Sequence, residues 1–302
     1  MDRLHAMTVF VAVADALSFA EAARTLRTSR PSVSRAVAAL EDHLGVELLA
    51  RTTRSVALTQ AGARYLEDCR RILEAVDDAD AAATGAFQEP AGRLVVTAPV
   101  MFGRLHVLPV LHAFLEAWPA VDAHLLLVDR VVDLVDEGID VAVRIGALPD
   151  SSLLAVRVGE VTSVVVGSPD YLARRGRPRV PTDLASHDLV AQTHAMRRRN
   201  WSFGGQRVPV EPRILTNDVP ATLELAMAGA GLARVLSYQA AAGLAAGRLQ
   251  RVLEDSEPEP LPVHLVHAGG RRTPARTRAF VDLAREILRD RGRNAWRTGS
   301  SG

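Results

Sequence analysis

The run Ser29-Arg30-Pro31-Ser32-Val33-Ser34-Arg35 packs three hydroxyls and two guanidinium groups into seven residues. Such groups can read nucleic acid. Arg forks onto guanine O6 and N7, and Ser bonds base edges or phosphate oxygens. They act together only if one helix end presents them to a groove. For any single Arg here the plain alternative is a solvated surface charge. A second basic pair, Arg51 and Arg54, sits in a polar turn between two β-prone runs spanning Val46 to Thr59. That reads as a wing, with both Arg on phosphates, so that losing Arg54 should weaken all DNA sequences alike.

Ligand chemistry is the second candidate. Thr97-Ala98-Pro99-Val100-Met101 follows an apolar strand and opens a helix, and Arg144-Ile145-Gly146 ends another strand. Strand-end loops of open α/β sheets collect ligands, and helix N-termini favour anions. Arg144 is as readily a structural ion pair as a ligand contact. Catalytic patterns are poor. No Ser stands in a GxSxG elbow, and the nine His show no HExxH spacing. One Cys cannot build a zinc site, and Gly229-Ala230-Gly231 follows a helix and lacks the later glycine of a phosphate loop. The sequence therefore predicts no catalytic residue, no metal and no cofactor. Arg174-Arg175 and Arg197-Arg198-Arg199 read as solvated charges.

Elements must position these groups. Ser18 with Glu21 forms a capping box at the start of a helix that continues through Ala22, Ala23 and Leu26. After the turn Arg27-Thr28, Ser29 is a second N-cap and Pro31 falls in the first turn, where its missing N–H costs no bond. Val33, Val37, Leu40 and Leu44 make one apolar face of the second helix. Its opposite face is small and basic at the N-terminal end and acidic at Glu41-Asp42. That polarity suits a helix entering the groove by its N-terminal end and repels phosphates from one laid flat. Gly45 ends the helix. Ahead of both, Leu4, Met7, Phe10, Val11 and Ala14 mark a first amphipathic helix.

Thr59 caps a long helix from about 60 to 84. Gly62, Tyr65, Cys69, Ile72, Val76, Ala79 and Ala83 alternate steps of three and four, a heptad seam. A helix lying on its own domain would show the same stripe. The flanking charges favour dimerisation through Tyr65, Cys69, Ile72 and Val76, and a two-fold pair reads two half-sites. Cys69 in that seam is a small hydrophobe before it is a redox sensor. Gly85 to Gly92 reads as a hinge.

From Arg93 strands and helices alternate. Strands are expected at 94–96, 121–128 and 141–143, and helices at 105–118 and 130–138. A crossover at 161–166 leads into a second lobe, and 262–267 returns to the first before a closing helix to Arg291. This is α/β with a largely parallel sheet and a cleft between two lobes.

The 302 residues suit two domains, and 48% hydrophobic content suffices for substantial cores. All 36 basic residues are Arg and net charge is +1, so the chain is no polyanion sponge. Residues 1–64 hold eight Arg against six acidic residues, a local +2, so placement matters more than total charge. A single Cys fits a reducing cytoplasm. No signal-like start and no apolar run of membrane length is seen, which predicts a cytoplasmic protein without membrane association.

Taken in order, Ser18-Phe19-Ala20-Glu21-Ala22-Ala23, Pro31-Ser32-Val33-Ser34-Arg35, Leu40-Glu41, Leu44-Gly45-Val46, Leu49-Ala50-Arg51 and Leu58-Thr59-Gln60-Ala61-Gly62 resemble the N-terminal signature of LysR-type transcriptional regulators. Arg30 stands where that family often has Gln, a change from adenine-reading to guanine-reading chemistry. Leu49 stands where it often has Phe. The stretches Leu108-Pro109, Trp118-Pro119, Gly138 to Gly146, Ser168 to Leu172 and Gly247-Arg248-Leu249 extend the resemblance, more loosely, to about Leu288.

The resemblance implies an α+β two-domain chain. Residues 1–59 would be an all-α winged helix-turn-helix and 60–92 a linker helix and hinge. Residues 93–291 would be an effector domain like the periplasmic solute-binding proteins, with lobe I at 93–162 and 266–291 and lobe II at 163–265. A disordered tail, 292–302, would follow. It further implies sequence-specific regulation of transcription at an interrupted palindromic operator of double-stranded DNA, contact with RNA polymerase, and a dimer or tetramer. DNA-contacting residues would be Ser29, Arg30, Pro31, Ser32, Ser34, Arg35, Arg51 and Arg54. A small-molecule effector would meet Thr97, Pro99, Val100, Met101, Arg144 and Gly146 from one lobe and Ser202, Phe203, Asn217 and Asp218 from the other. Relatives offer hydroxyls in the first loop, and Pro99 and Val100 interrupt them here. The expectation is a mainly apolar or aromatic molecule with one anionic group near Arg144. Two other readings compete: a solute-binding protein that does not touch DNA, and an α/β oxidoreductase.

Overall fold

The computed structural model describes residues 2–51, 56–84, 89–134, 136–193, 200–269, 273–292 and 296. They form two compact units, 1–88 and 89–302.

The first unit holds α1 (Arg3–Ala16), α2 (Phe19–Thr25), α3 (Arg30–Leu44), a hairpin of β1 (Leu49–Arg51) and β2 (Val56–Leu58), and α4 (Gln60–Thr84). Local signals place each start. Asp2, Ser18 and Ser29 cap α1, α2 and α3 by accepting a backbone N–H three residues on. Gly45, at φ +68°, closes α3. The Glu21 carboxylate pairs with Arg24 at 2.7 Å. Phe10, Val13, Ala22, Val33, Val37 and Leu40 form the core between the three helices.

The wing is tied to two helices. Glu41 Oε1 accepts the N–H groups of Leu48 at 2.9 Å and Leu49 at 3.0 Å. Thr59 Oγ1 donates to the Glu47 carbonyl at 2.8 Å and accepts the Gly62 N–H at 2.9 Å, which starts α4. The approach of α4 to β1 is so close that a Cβ at position 62 would lie 1.9 Å from the Leu48 carbonyl oxygen. Glu41 is thus a wing anchor, not part of the exposed acidic end expected of α3.

The long helix departs from its expected use. Leu66 and Cys69 belong to the core of their own domain, with Tyr65 and Leu73 packed against it. Tyr65 lies 5.9 Å from the Phe10 ring, and Arg70 pairs with Asp15 of α1. Cys69 is 0% exposed in the single chain, so it has no surface to give a partner subunit. The seam is split: its first half covers α1, and Ile72, 41% exposed, begins the free half.

In the second unit, lobe I carries the sheet β4-β3-β5-β14-β6, made of β3 (Gly92–Ala98), β4 (Val121–Leu127), β5 (Val141–Ile145), β6 (Leu154–Val161) and β14 (Leu261–His267). Lobe II carries β11-β8-β12-β7-β13, made of β7 (Ser163–Gly167), β8 (Leu189–Gln192), β11 (Ile214–Thr216), β12 (Leu232–Leu236) and β13 (Gln250–Val252). The hairpin of β9 (Asn200–Phe203) and β10 (Gln206–Pro209) flanks it. Helices α7 (Pro169–Arg175), α8 (Val219–Met227) and α9 (Ser237–Ala245) complete lobe II, and α10 (Ala275–Gly292) closes lobe I. Side chains on β7 alternate between the two faces. Val164 and Val166 enter one core, Val165 the other.

Both sheets are mixed, not largely parallel. β3 pairs parallel with β4 and β5, whereas β14 runs antiparallel to β5 and β6. The chain returns to lobe I at Leu261, one residue before the expected returning strand and within the span expected for lobe II, because Leu261 pairs with Val161 of β6. The Glu89-Pro90-Ala91 end of the expected hinge lies outside regular structure, and 85–88 lie outside the described residues.

Three further expectations change. Residues 130–134 and 136–138 form bends, turns and irregular chain in place of a helix, with Arg130 bidentate on Glu137 at 2.8 and 2.7 Å. The helical stretch Val100–Ala117, α5 (Val100–Phe102), a π-turn and α6 (Leu108–Ala117), does reach the length and mean hydropathy of a membrane span. Its residues Phe102, Val107, Val110 and Phe114 are fully buried in the lobe I core. The expected disordered tail contains Trp296, 0% exposed, which fills lobe I against Phe102 and His106. A Cβ at position 159 would lie 2.5 Å from that indole, so Gly159 makes its room. Ser237 Oγ donates to the Trp296 carbonyl and accepts the Thr162 N–H at 3.1 Å.

Candidate nucleic-acid interface and ligand cleft

The first turn of α3 brings together the residues picked out by their spacing. Ser29 Oγ accepts the Ser32 N–H at 3.3 Å and donates to Ser32 Oγ at 3.0 Å. Arg35 Nη2 donates to Ser32 Oγ at 3.4 Å. Ser29, Arg30, Pro31 and Arg35 are exposed, and Ser32 and Ser34 are half-buried beside them. Val33, Val37 and Leu40 face inward with no exposure. This helix end offers two guanidiniums, hydroxyls and the positive end of the helix dipole, on a rigid support. Arg51 closes β1 opposite Val56, so its backbone stands at the wing end, and Arg54 lies outside the described residues.

In the second unit a cavity of about 440 Å³ opens between the two lobes. Of the ten positions expected to meet a ligand, Pro99 and Arg144 line it. The others have definite employment elsewhere. Thr97 is fully buried and donates to the Leu126 carbonyl at 2.9 Å. The Val100 N–H at the start of that helix already donates to Asp129 Oδ1 at 3.0 Å. Met101 packs against the cores of both lobes. Gly146 donates its N–H to the Pro262 carbonyl at 2.8 Å. Asp218 caps α8 through the Ala221 N–H at 2.7 Å, and Asn217 precedes it in the connection to that helix. Ser202 and Phe203 act one step back, as supports of Arg234.

The cavity walls instead include Asp129, Arg130, Gln192, Asn200, Trp201, Arg234, Tyr238 and Gln239. Sequence reasoning missed these. One signal was available: Arg234 interrupts the otherwise apolar strand Leu232-Ala233-Arg234-Val235-Leu236. Arg234 donates to the Ser202 carbonyl at 3.0 Å and lies over the Phe203 ring, 5.3 Å from its centre. Burial lowers its pKa. Arg144 donates to the Val132 carbonyl at 2.9 Å; burial lowers its pKa too, opposed by the Glu137 carboxylate. Burial, with Asp129 nearby, raises the Tyr238 phenol, so it is a neutral group whose oxygen accepts from Gln239 at 3.2 Å. The triplet Arg197-Arg198-Arg199 lies outside the described residues. Arg174 and Arg175 bind the Gly229 and Ser186 carbonyls, so they are not free charges.

The surroundings of Cys69 favour its neutral thiol. Burial pushes its thiol up to about 11, which removes the reactive thiolate at neutral pH.

Comparison with known proteins covers nearly the whole chain. Residues 4–63 match the family model described as bacterial regulatory helix-turn-helix protein, lysR family, and residues 87–289 match the LysR substrate binding domain. The HTH-type transcriptional regulator PtxR of Pseudomonas aeruginosa is 36% identical, across 99% of this chain and 96% of its own. The HTH-type transcriptional activator AaeR of Escherichia coli is 32% identical over 93% of each. Among solved structures, CrgA, a LysR-type regulator from Neisseria meningitidis, is 29% identical with a TM-score of 0.61 and covers 94% of this chain and 98% of its own. The Vibrio cholerae virulence activator AphB gives 26% and 0.59, covering 93% and 98%.

Proposed function

Because this chain belongs to the LysR family of DNA-binding transcriptional regulators, we propose that the first turn of α3 reads its operator and that the 440 Å³ cavity is where its effector acts. Members of the family bind DNA through the helix-turn-helix and a small molecule through the substrate-binding domain. They are regulators, not enzymes, which sets aside both the oxidoreductase and the solute-binder readings.

The observation that carries the DNA reading is the exposure of Arg30, Pro31 and Arg35 on a capped helix end whose other face is wholly core. Ser29, Ser32 and Ser34 would bond base edges or nearby phosphates, and Arg30 would fork onto a guanine. Arg51 and Arg54 would hold phosphates. One such helix contacts few base pairs, so two copies acting at an interrupted palindrome are needed for specificity. Ile72 and Val76 supply the apolar half-stripe for that dimer, and tetramer formation and contact with RNA polymerase extend the same proposal. Such a protein works where the chromosome is, in the cytoplasm of a bacterial cell.

Fluorescence anisotropy with DNA from upstream of the protein's own gene tests this reading. Saturable binding that a triple Arg30→Ala, Ser32→Ala, Arg35→Ala variant loses, while keeping its circular dichroism, supports it. Equal binding by that variant refutes it.

A further inference from the structure

We infer that the effector is a hydrophobic carboxylic acid whose carboxylate is held by Arg234, on the lobe II wall, and not by Arg144. This rests on the reading of the cavity as the effector site.

Among the described residues, four charged side chains line the cavity: Asp129, Arg130, Arg144 and Arg234. Three of them have a bonded partner together with, for the two Arg, a carboxylate close by. Asp129 takes the Val100 N–H, Arg130 forks onto Glu137, and Arg144 gives an N–H to the Val132 carbonyl within the field of the same Glu137. Arg234 differs. Among the described residues no carboxylate acts on it. Its one hydrogen bond goes to a neutral carbonyl, that of Ser202. A cation withdrawn from water without a counter-charge is costly, and an arriving anion removes that cost.

The support of Arg234 fixes what kind of anion fits. The Phe203 ring lies against one side of the guanidinium, and the Ser202 carbonyl takes one edge. A planar cation held on a ring keeps its fork pre-set, and a carboxylate matches that fork with two parallel bonds. Around it stand Trp201, Val219, Val235 and Leu236, with the amides of Gln192 and Asn200. An acid with an apolar body places one charge on Arg234 and buries the rest.

Calorimetry and thermal-shift titrations of the full chain test this, with benzoate, hexanoate, benzamide, hexanamide and benzylamine as probes. The acids should bind at least tenfold more tightly than their amides, and benzylamine should not bind. Arg234→Gln should erase the preference of acid over amide, Arg234→Lys should restore part of it, and Arg144→Gln should change acid affinity less than threefold. Circular dichroism checks the fold of each variant. If Arg234→Gln does not fold, the Lys variant carries the test, with a loss of acid affinity that leaves amide affinity unchanged. Quenching of Trp201 emission, assigned with Trp201→Phe, reports occupancy of the cavity.

Equal binding of acid and amide, or a preference lost in Arg144→Gln and kept in Arg234→Gln, overturns the inference. So does failure of every probe to bind. Amide or amine binding that quenches Trp201 would leave the cavity as the effector site and sink only the carboxylate. Acid binding that neither quenches Trp201 nor feels Arg234 would sink the site itself.

Discussion

Glu41 and Leu48 join the reading helix to the wing: the carboxylate on α3 accepts the Leu48 N–H at 2.9 Å, and the Leu49 N–H at 3.0 Å from the same oxygen. Removing it leaves two backbone donors, at residues themselves almost fully buried, without that acceptor. Hydrogen bonds to a charged acceptor are worth about 1.5–3 kcal/mol each. Glu41→Ala should therefore lower the stability of the first unit by about 2–4 kcal/mol and weaken DNA binding by disordering the wing. Chemical denaturation followed by circular dichroism measures the first effect. Full stability in that variant would show that the anchor is dispensable.

The divided face of α4 makes opposite predictions for two neighbours. Cys69 is covered by its own domain, whereas Ile72 is 41% exposed. Cys69→Ala should cost about 1 kcal/mol of stability through the small cavity it leaves and leave the oligomeric state unchanged. Ile72→Glu should shift the protein toward monomer by at least tenfold in dissociation constant. Sedimentation velocity over a concentration series reads both. A dimer indifferent to Ile72→Glu would mean that subunits meet elsewhere.

His106 stands beside Phe102 and Trp296 in lobe I, and burial, aided by the charge of Arg291, lowers its pKa from 6.5 to about 4. The unfolded chain takes up this proton near pH 6.5 and the folded domain only near pH 4. The stabilisation is complete above pH 6.5 and disappears as pH falls through that window, by up to about 3 kcal/mol. His187 and His264, also lowered by burial, act in the same direction. Unfolding midpoints from pH 7.5 to 4 should fall more steeply in the native chain than in His106→Phe. Parallel slopes would remove His106 as the cause.

The first unit was legible because its signals are local. Ser18, Ser29, Thr59 and Gly45 each act on a backbone group within a few residues, and the period of Val33, Val37 and Leu40 names the buried face. Glu41 was misread, since its partners lie seven and eight residues away on a strand that folds back. The cleft was less legible for the same reason carried further. Pro99 and Arg144 end strands whose position follows from the alternating pattern. Arg234 reaches the cavity because β12 pairs with both β7 and β8, and its ring support comes from a hairpin thirty residues earlier. Strand pairing at that distance leaves no mark in local composition. Trp296 reads as part of a polar tail because its neighbours from Arg291 to Thr298 are mostly polar or small. Its partners, Phe102 and Gly159, are far back along the chain.

The account stands or falls on α3 reading bases through its first turn. Competition anisotropy across a set of operators, each altered at one base pair, measures it most directly, comparing the native chain with Arg30→Ala. The expected result is loss of discrimination at one position in each half-site, by roughly 1–3 kcal/mol, with the other positions unchanged. An identical base profile for both proteins would contradict it.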